Sequence, residues 1–462
     1  MWIRRLPSLC FTHVVAPLSS KVIPPNRKLR LTSQNHPKSQ VEILADQVSV
    51  NAATLTAFLQ SENLPTPSFE RDAPIVVLPA SAPAHVKAAR QALIEAAFKT
   101  FQLAVGPSEY IINLNIAIQE AASLHWLTHF GIFAMVPVEG SISYQALAAK
   151  ANVSVKQLKT VARMAMTSNV FYEPEAGEIA HTATSAMLAT HPNFHDWAVF
   201  MCESSIPSAS RLVEACERWP GSVKKNETAH NIAFDTDLPF FDYLATQPEK
   251  EKQFARYMKN VTSGEGTAIR HLVNGFDWAS LGQATVVDVG GSTGNAAITL
   301  AHEFPELSFI VEDLPANAEM GEATLCETEP TLVERVKFLA HDFFQRQPVN
   351  GAQVYLLRAI LHDWPYEEAT TILRNLAVAM TPGVSRILIM DTVLPPPGSL
   401  PATQERLLRL RDMAMLQGFN ALERDMDDWM ALLRKADKRL SLMNVVQPAG
   451  SVMSVLEVAL DN

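Results

Sequence analysis

Cysteine is scarce in this 462-residue chain: Cys10, Cys202, Cys216 and Cys326 are the only four, none at metal-ligand spacing. That excludes a disulfide-stapled scaffold and a zinc module, and it fits a reducing compartment. No apolar run approaches the ~20 residues that a membrane helix needs. A basic surplus is also missing, since the formal charge is −10 at pH 7, the wrong sign for a general binder of phosphate backbones. Acidic residues are absent from residues 1 to 40, where Arg4, Arg5, Lys21, Arg27, Lys28, Arg30 and Lys38 stand unopposed. An acid-free start containing Arg and Ser is similar to a mitochondrial transit peptide, yet Pro7, Pro17, Pro24, Pro25 and Pro37 interrupt any amphipathic helix. A disordered extension or a misplaced start codon is the preferred expectation, with a cytoplasmic location expected and mitochondrial import left open.

What is present is a hydrophobic content of 48% over a length that suggests two or three domains with at least one large core. Helical periodicity runs from Val41 to about Gln60, from Ala84 to about Ala104 and from Leu114 to Phe130, with Gly131 as a C-cap and Asn63 to Ser68 as a linker. Between Ser141 and Thr182 the pattern reads helix, turn, helix opened by the capping pattern Ser154 to Gln157, then a hairpin of Asn169–Glu173 with Glu178–Thr182. This is a winged-helix outline. Lys156, Lys159 and Arg163 would face a phosphate backbone in a DNA-binding regulator; the acidic body favours a solvated helix face and a role in packing and dimer formation.

From Thr285 the texture alternates strand and helix, as in a parallel α/β sheet. Strands are expected at Thr285–Val289, Ser308–Glu312, Arg335–Leu339, Gln353–Leu357 and Arg386–Thr392, with a closing antiparallel pair at Arg439–Gln447 and Val452–Leu460. The sharpest motif is Val286-Val287-Asp288-Val289-Gly290-Gly291-Ser292-Thr293-Gly294, a buried strand running into a glycine turn and a helix. Glycine suits a backbone that turns sharply against a ligand. Glu312-Asp313 ends the next strand, where a carboxylate can accept ribose hydroxyls. The spacing departs from G-x-G-x-x-G, and Asp288 would oppose a pyrophosphate while suiting a cation. His341-Asp342-Phe343-Phe344 closes the third strand, with an acid for an adenine amine and a ring to stack on the base.

These segments, together with Arg358 to Trp364, Phe240 to Leu244 and Phe419 to Arg424, resemble the plant-type O-methyltransferase family, in its fungal secondary-metabolism branch, over nearly all of residues 41–462. The resemblance implies a Rossmann-like α/β methyltransferase sheet behind an N-terminal all-α, winged-helix dimerisation domain. It divides the chain into the extension 1–40, a dimerisation domain 41–200, connecting helices 201–270 lining the substrate pocket, and a domain 271–462 that binds S-adenosylmethionine. Asp288, Gly290, Gly291, Gly294, Asp313, Asp342, Phe343 and Arg358 would hold that cofactor. His362 matches the general base and Asp391 and Glu423 its supporting acids, although plant members usually show a glutamate where Asp391 stands. Trp364, Met413, Phe419 and Asn420, with Met415, would line the substrate pocket; no metal is expected.

The implied chemistry is sensible in these residues. Displacement at a sulfonium methyl needs an aligned oxygen stripped of its proton. Full transfer from a phenol to a free imidazole would cost about 3.5 pKa units, roughly 5 kcal/mol, so a carboxylate on the far ring nitrogen would help. Three activities are expected to compete: O-methylation of a phenol or polyketide-like metabolite, a pericyclic or dehydration step using the sulfonium as a fixed charge, and DNA regulation.

Overall fold

The computed structural model describes residues 37–262 and 264–462, so the expected N-terminal extension falls outside the described residues except for its last four positions. Seven strands form the central sheet: β1 (Ala284–Val289), β2 (Leu307–Asp313), β3 (Val336–Ala340), β4 (Val354–Arg358), β5 (Arg386–Asp391), β6 (Leu440–Val446) and β7 (Ser454–Leu460). Their spatial order is β3-β2-β1-β4-β5-β7-β6. The first five are parallel, and β7 runs antiparallel between β5 and β6. Strand order reverses between β1 and β4, which opens a crevice at the carboxyl ends of the strands.

Alternation along each strand supplies both faces. Val287, Tyr355, Leu357, Ile387 and Ile389 pack on one side with helices Tyr366–Ala379 and Met426–Ala436. Val286, Val354, Leu356, Leu388 and Met390 pack on the other with helix Asn295–Glu303. Burial on both faces is why these strands are near-continuous Val, Ile and Leu.

The N-terminal part is helical. Gln40–Ser61 starts at a reciprocal cap between Ser39 and Glu42 and pairs with Ala84–Val105 around Leu55, Leu59 and Val86. Tyr110–His129 follows, beginning four residues earlier than periodicity indicated, and it ends before Gly131, which takes a left-handed φ of 63°. Helices Tyr144–Ala151 and Val155–Met166 share a core with Phe133 and Phe171. The expected wing differs: Glu178–Ile179 pairs with Ile142–Ser143, while the 169–173 arm contributes a single bridge, Tyr172 to Ala180. Asn169 and Phe171 have φ of 57° and 68°, which breaks the extended arm the hairpin required. Arg163 donates to Glu173 at 2.8 and 2.9 Å, so one of the three basic residues on that helix is already paired within the fold.

One contact ties the first part of the chain to the last. Glu95 accepts from the backbone N–H groups of Ala402 and Thr403 at 3.0 and 2.9 Å and from the Thr403 hydroxyl at 2.7 Å. It thereby caps helix Ala402–Phe419 from outside, where Pro401 offers no side-chain cap.

Candidate active site

The turn after β1 is shaped by close approach. Gly290 and Gly294 have φ of 71° and 80°, and Ser292 also lies at positive φ, 52°. A Cβ on Gly291 would sit 2.7 Å from the Asp288 carboxyl and 2.8 Å from Val311, and one on Gly290 would sit 2.7 Å from Ile360. Asp288 is buried, and burial pushes its carboxyl up to about 7 although Arg358 nearby opposes this. Its Oδ2 has no hydrogen-bond partner among the described residues. An unsatisfied buried acid beside a glycine cradle fits a ligand bearing a cationic or N–H group, as S-adenosylmethionine does.

Asp313 ends β2 facing the same turn. It accepts from the backbone N–H groups of Ser292 and Leu314 and from the Asn317 amide, each at 2.8 Å, which fixes the carboxylate and leaves about one further acceptor site, on Oδ2. Asp342, just past β3, accepts the Phe344 N–H at 3.0 Å, and Phe343 meets Trp364 edge to face at 5.6 Å. Arg358, the last residue of β4, donates to the Thr267 carbonyl at 2.7 Å.

His362 sits on the single helical turn Leu361–Asp363 beyond β4. Its Nδ1 lies 3.0 Å from Glu423 Oε1. Asp391 stops 3.8 Å from that nitrogen and instead accepts the His362 backbone N–H at 3.2 Å. Asp363 lies 3.6 Å from Nε2 on the other side. Burial opposes charge on the imidazole, but Asp391, Asp363 and Glu423 outweigh it and hold the pKa well above the usual histidine value. Burial likewise raises Asp391 to about 6.

The residues expected at the substrate pocket are spread more widely. Trp364 follows Asp363, with the Lys225 ammonium 4.2 Å from its ring centre. Phe419 joins an aromatic cluster with Phe240 and Phe241 at 5.0 and 5.4 Å. Met413 is exposed on the same helix, and Met415 is half-buried. Asn420 donates both amide contacts to the carbonyls of Lys224 and Glu227, at 2.7 and 2.9 Å, and so clasps the 222–228 loop.

Three residues escaped sequence reasoning. Arg424 is buried and donates to the Leu361 and Trp364 carbonyls at 2.7 and 2.8 Å. Lys225 reaches Trp364 across a loop far away in sequence. His230 is buried among Phe234, Phe240 and Tyr243, held neutral by burial that pushes its pKa down to about 4. Only Arg424 carries a signal, its place beside Glu423 in the segment Phe419 to Arg424, and nothing in the sequence marks a buried arginine.

A parallel sheet with an antiparallel last strand, a cationic-ligand cradle after β1 and a carboxylate-braced histidine after β4 define an α/β methyltransferase. A family model described as an O-methyltransferase domain matches residues 222–438. O-methyltransferase aurJ of Gibberella zeae is 50% identical over 427 residues, spanning 91% of this chain and 97% of its own. The crystal structure of OxaC is similar in fold, with a TM-score of 0.71 at 23% identity over 92% of this chain and all of that one. A structure titled as a pericyclic reaction enzyme has a TM-score of 0.67 at 22% identity, over 90% of this chain and 100% of its own, so fold alone does not separate the two chemistries. The chain belongs to the plant-type O-methyltransferase family and is an S-adenosylmethionine-dependent O-methyltransferase of fungal secondary-metabolism type. No helix among the described residues is long and apolar enough to cross a membrane.

Proposed function

We propose that the enzyme methylates a hydroxyl of a phenolic or polyketide-like metabolite with His362 as general base. The observation that carries this reading is the 3.0 Å contact between His362 Nδ1 and Glu423, which fixes the ring and leaves Nε2 to take a proton. The raised imidazole pKa narrows the 3.5-unit gap to a phenol, so deprotonation costs less than about 5 kcal/mol. S-adenosylmethionine, when bound, supplies an electrophilic methyl and a positive charge. Asp288 with Gly290, Gly291 and Gly294 would hold its amino-acid end, Asp313 the ribose, Asp342 and Phe343 the adenine, with Arg358 alongside. Trp364, Met413 and Phe419 would enclose the acceptor, while Asn420 shapes that chamber through the loop it clasps.

The proposal extends to a homodimer formed through residues 41–200, with 201–270 as connecting helices and 271–462 as the catalytic domain. Tyr110, Ile111, Ile112, Leu114, Ile116 and Ile118 support it, all large apolar residues exposed on one helix. A cytoplasmic site of action is supported by Cys202, Cys216 and Cys326 being free thiols.

The test is His362→Ala. Turnover on a phenol methylated by the wild-type enzyme should fall by roughly 10²- to 10⁴-fold, with affinity for S-adenosylhomocysteine retained. A variant that methylates normally defeats the base assignment. An isomerised or dehydrated product with the cofactor unconsumed would point to the pericyclic alternative.

A further inference from the structure

We propose that Arg424 is a positioning residue for the catalytic base: it grips the peptide turn carrying His362 while its neighbour Glu423 grips the ring. This rests on the reading of His362 as the base. The turn has little support of its own. It leaves β4 through Ala359, a non-glycine residue at φ 53°, and makes one short helical turn before Pro365. Its internal hydrogen bonds are long, Asp363 N–H to Ile360 at 3.2 Å and Trp364 N–H to Leu361 at 3.3 Å.

Arg424 supplies the shorter bonds. Nη1 donates to the Leu361 carbonyl at 2.7 Å and Nη2 to the Trp364 carbonyl at 2.8 Å, the two peptide oxygens that bracket His362 and Asp363. A planar guanidinium can span two acceptors in fixed geometry, which an ammonium cannot. Arg424 is itself held. Its backbone pairs in parallel with Val393, two residues beyond Asp391, and its guanidinium lies 5.3 Å from the ring of buried Trp429, whose N–H is bonded to Thr392 at 3.1 Å. Asp391 at the end of β5 and Glu423 and Arg424 beside the short parallel pairing with Val393–Leu394 therefore reach the histidine turn together, each holding a different atom group.

Burying a guanidinium is a poor route to stability, since apolar side chains of similar size usually serve as well or better. Here burial also pushes the Arg424 pKa down against the pull of Asp391 and Glu423. The return for that arrangement is a fixed base.

The experiment compares Arg424→Lys, which keeps charge but not the two-point grip, with Arg424→Gln, which removes both. The ¹⁵N shifts of His362 are followed against pH in histidine-labelled protein bound to S-adenosylhomocysteine, the resonance being assigned by its loss in His362→Gln. In the wild type, neutral His362 should carry its proton on Nδ1, facing Glu423. In Arg424→Lys the two tautomers should mix, and kcat should fall about 10- to 100-fold, the effect of an ångström-scale displacement, with KM nearly unchanged. In Arg424→Gln the titration midpoint should also move upward, because a nearby positive charge is gone. Trp429→Phe, which loosens the support under the guanidinium, should shift the tautomer ratio in the same direction and keeps the idea testable if neither arginine variant folds. Wild-type tautomer, midpoint and kcat in Arg424→Lys, with only a lower melting temperature, would overturn the proposal. Because the tautomer is read without turnover, that failure is distinct from a failure of the base assignment by His362→Ala.

Discussion

Glu423 and Asp391 sit on the same side of His362, yet 3.0 Å against 3.8 Å from Nδ1 gives them different work. The longer side chain braces the ring; the shorter one holds the backbone N–H of the same residue. An imidazole must be neutral to accept a proton, so activity is lost as pH falls through its pKa. With that pKa held above the usual value, the acid limb of the kcat profile should lie above about 6.5. Glu423→Gln removes one of the carboxylates that raise it, so the limb should move to lower pH while the plateau drops; a limb that stays put would show that Glu423 does not govern the titration. Asp313→Ala should weaken S-adenosylhomocysteine binding by about 10- to 100-fold, the worth of a hydrogen bond to a charged acceptor, measurable by calorimetry. The donor atoms of His362, Asp391 and Glu423 also lie within 4.8 Å of one another, a grouping able to hold a cation. Turnover unaffected by EDTA is expected for a proton acceptor, and chelator-sensitive turnover would count against it.

Helix Ala402–Phe419 carries Met413 and Phe419 and leads into Asn420 and Glu423, so the way its first turn is held bears on the placement of all four. Glu95 provides that hold. Burial opposes its charge, but bonds from Lys99, Thr403 and Ala402 bring its pKa down to about 2. A depressed carboxylate stabilises fully above its ordinary value near 4.5 and loses that contribution as pH falls toward 2. Glu95→Ala should cost about 0.5–2 kcal/mol, the range for a lost helix cap, read as a lower melting temperature at pH 7 and a difference that shrinks in acid. Elements of this kind mark the boundary of what sequence reveals. The sheet strands were legible to within one or two residues because burial on both faces writes itself as continuous apolar runs. Asp288, Asp313 and His362 became candidates because they stand at or just past the carboxyl ends of β1, β2 and β4, the edge where α/β folds bind ligands. The wing pairs its two arms at only one bridge, Tyr172 to Ala180, less than the alternation predicts, because of left-handed turns at Asn169 and Phe171 that leave no compositional trace beyond one asparagine. Neither Glu95 nor Arg424 announced its partner, since a bond across 307 residues in one case and 60 in the other has no periodicity to read.

At the scale of the molecule, the first turns of helix Tyr110–His129 expose Tyr110, Ile111, Ile112, Leu114, Ile116 and Ile118 together. Ile111 and Ile118 are 70% and 57% exposed, unusual for isoleucine unless another surface covers it. Replacing both by glutamate should convert a dimer to monomer in sedimentation at micromolar concentration, and a wild-type monomer would refute the assembly. The Glu95 clasp has a consequence in time as well as space. Its acceptor and its donors are separated by 307 residues, so on a ribosome adding about 5 to 20 residues per second the N-terminal helices wait roughly 15 to 60 seconds for the segment that completes them. During that interval the side of helix Ala84–Val105 that receives the Ala402–Phe419 helix, with Glu95 and Phe98, stays uncovered. Newly made chains should therefore lean on chaperones, and a nonsense mutation before Ala402 should yield aggregating fragments in place of a smaller folded protein.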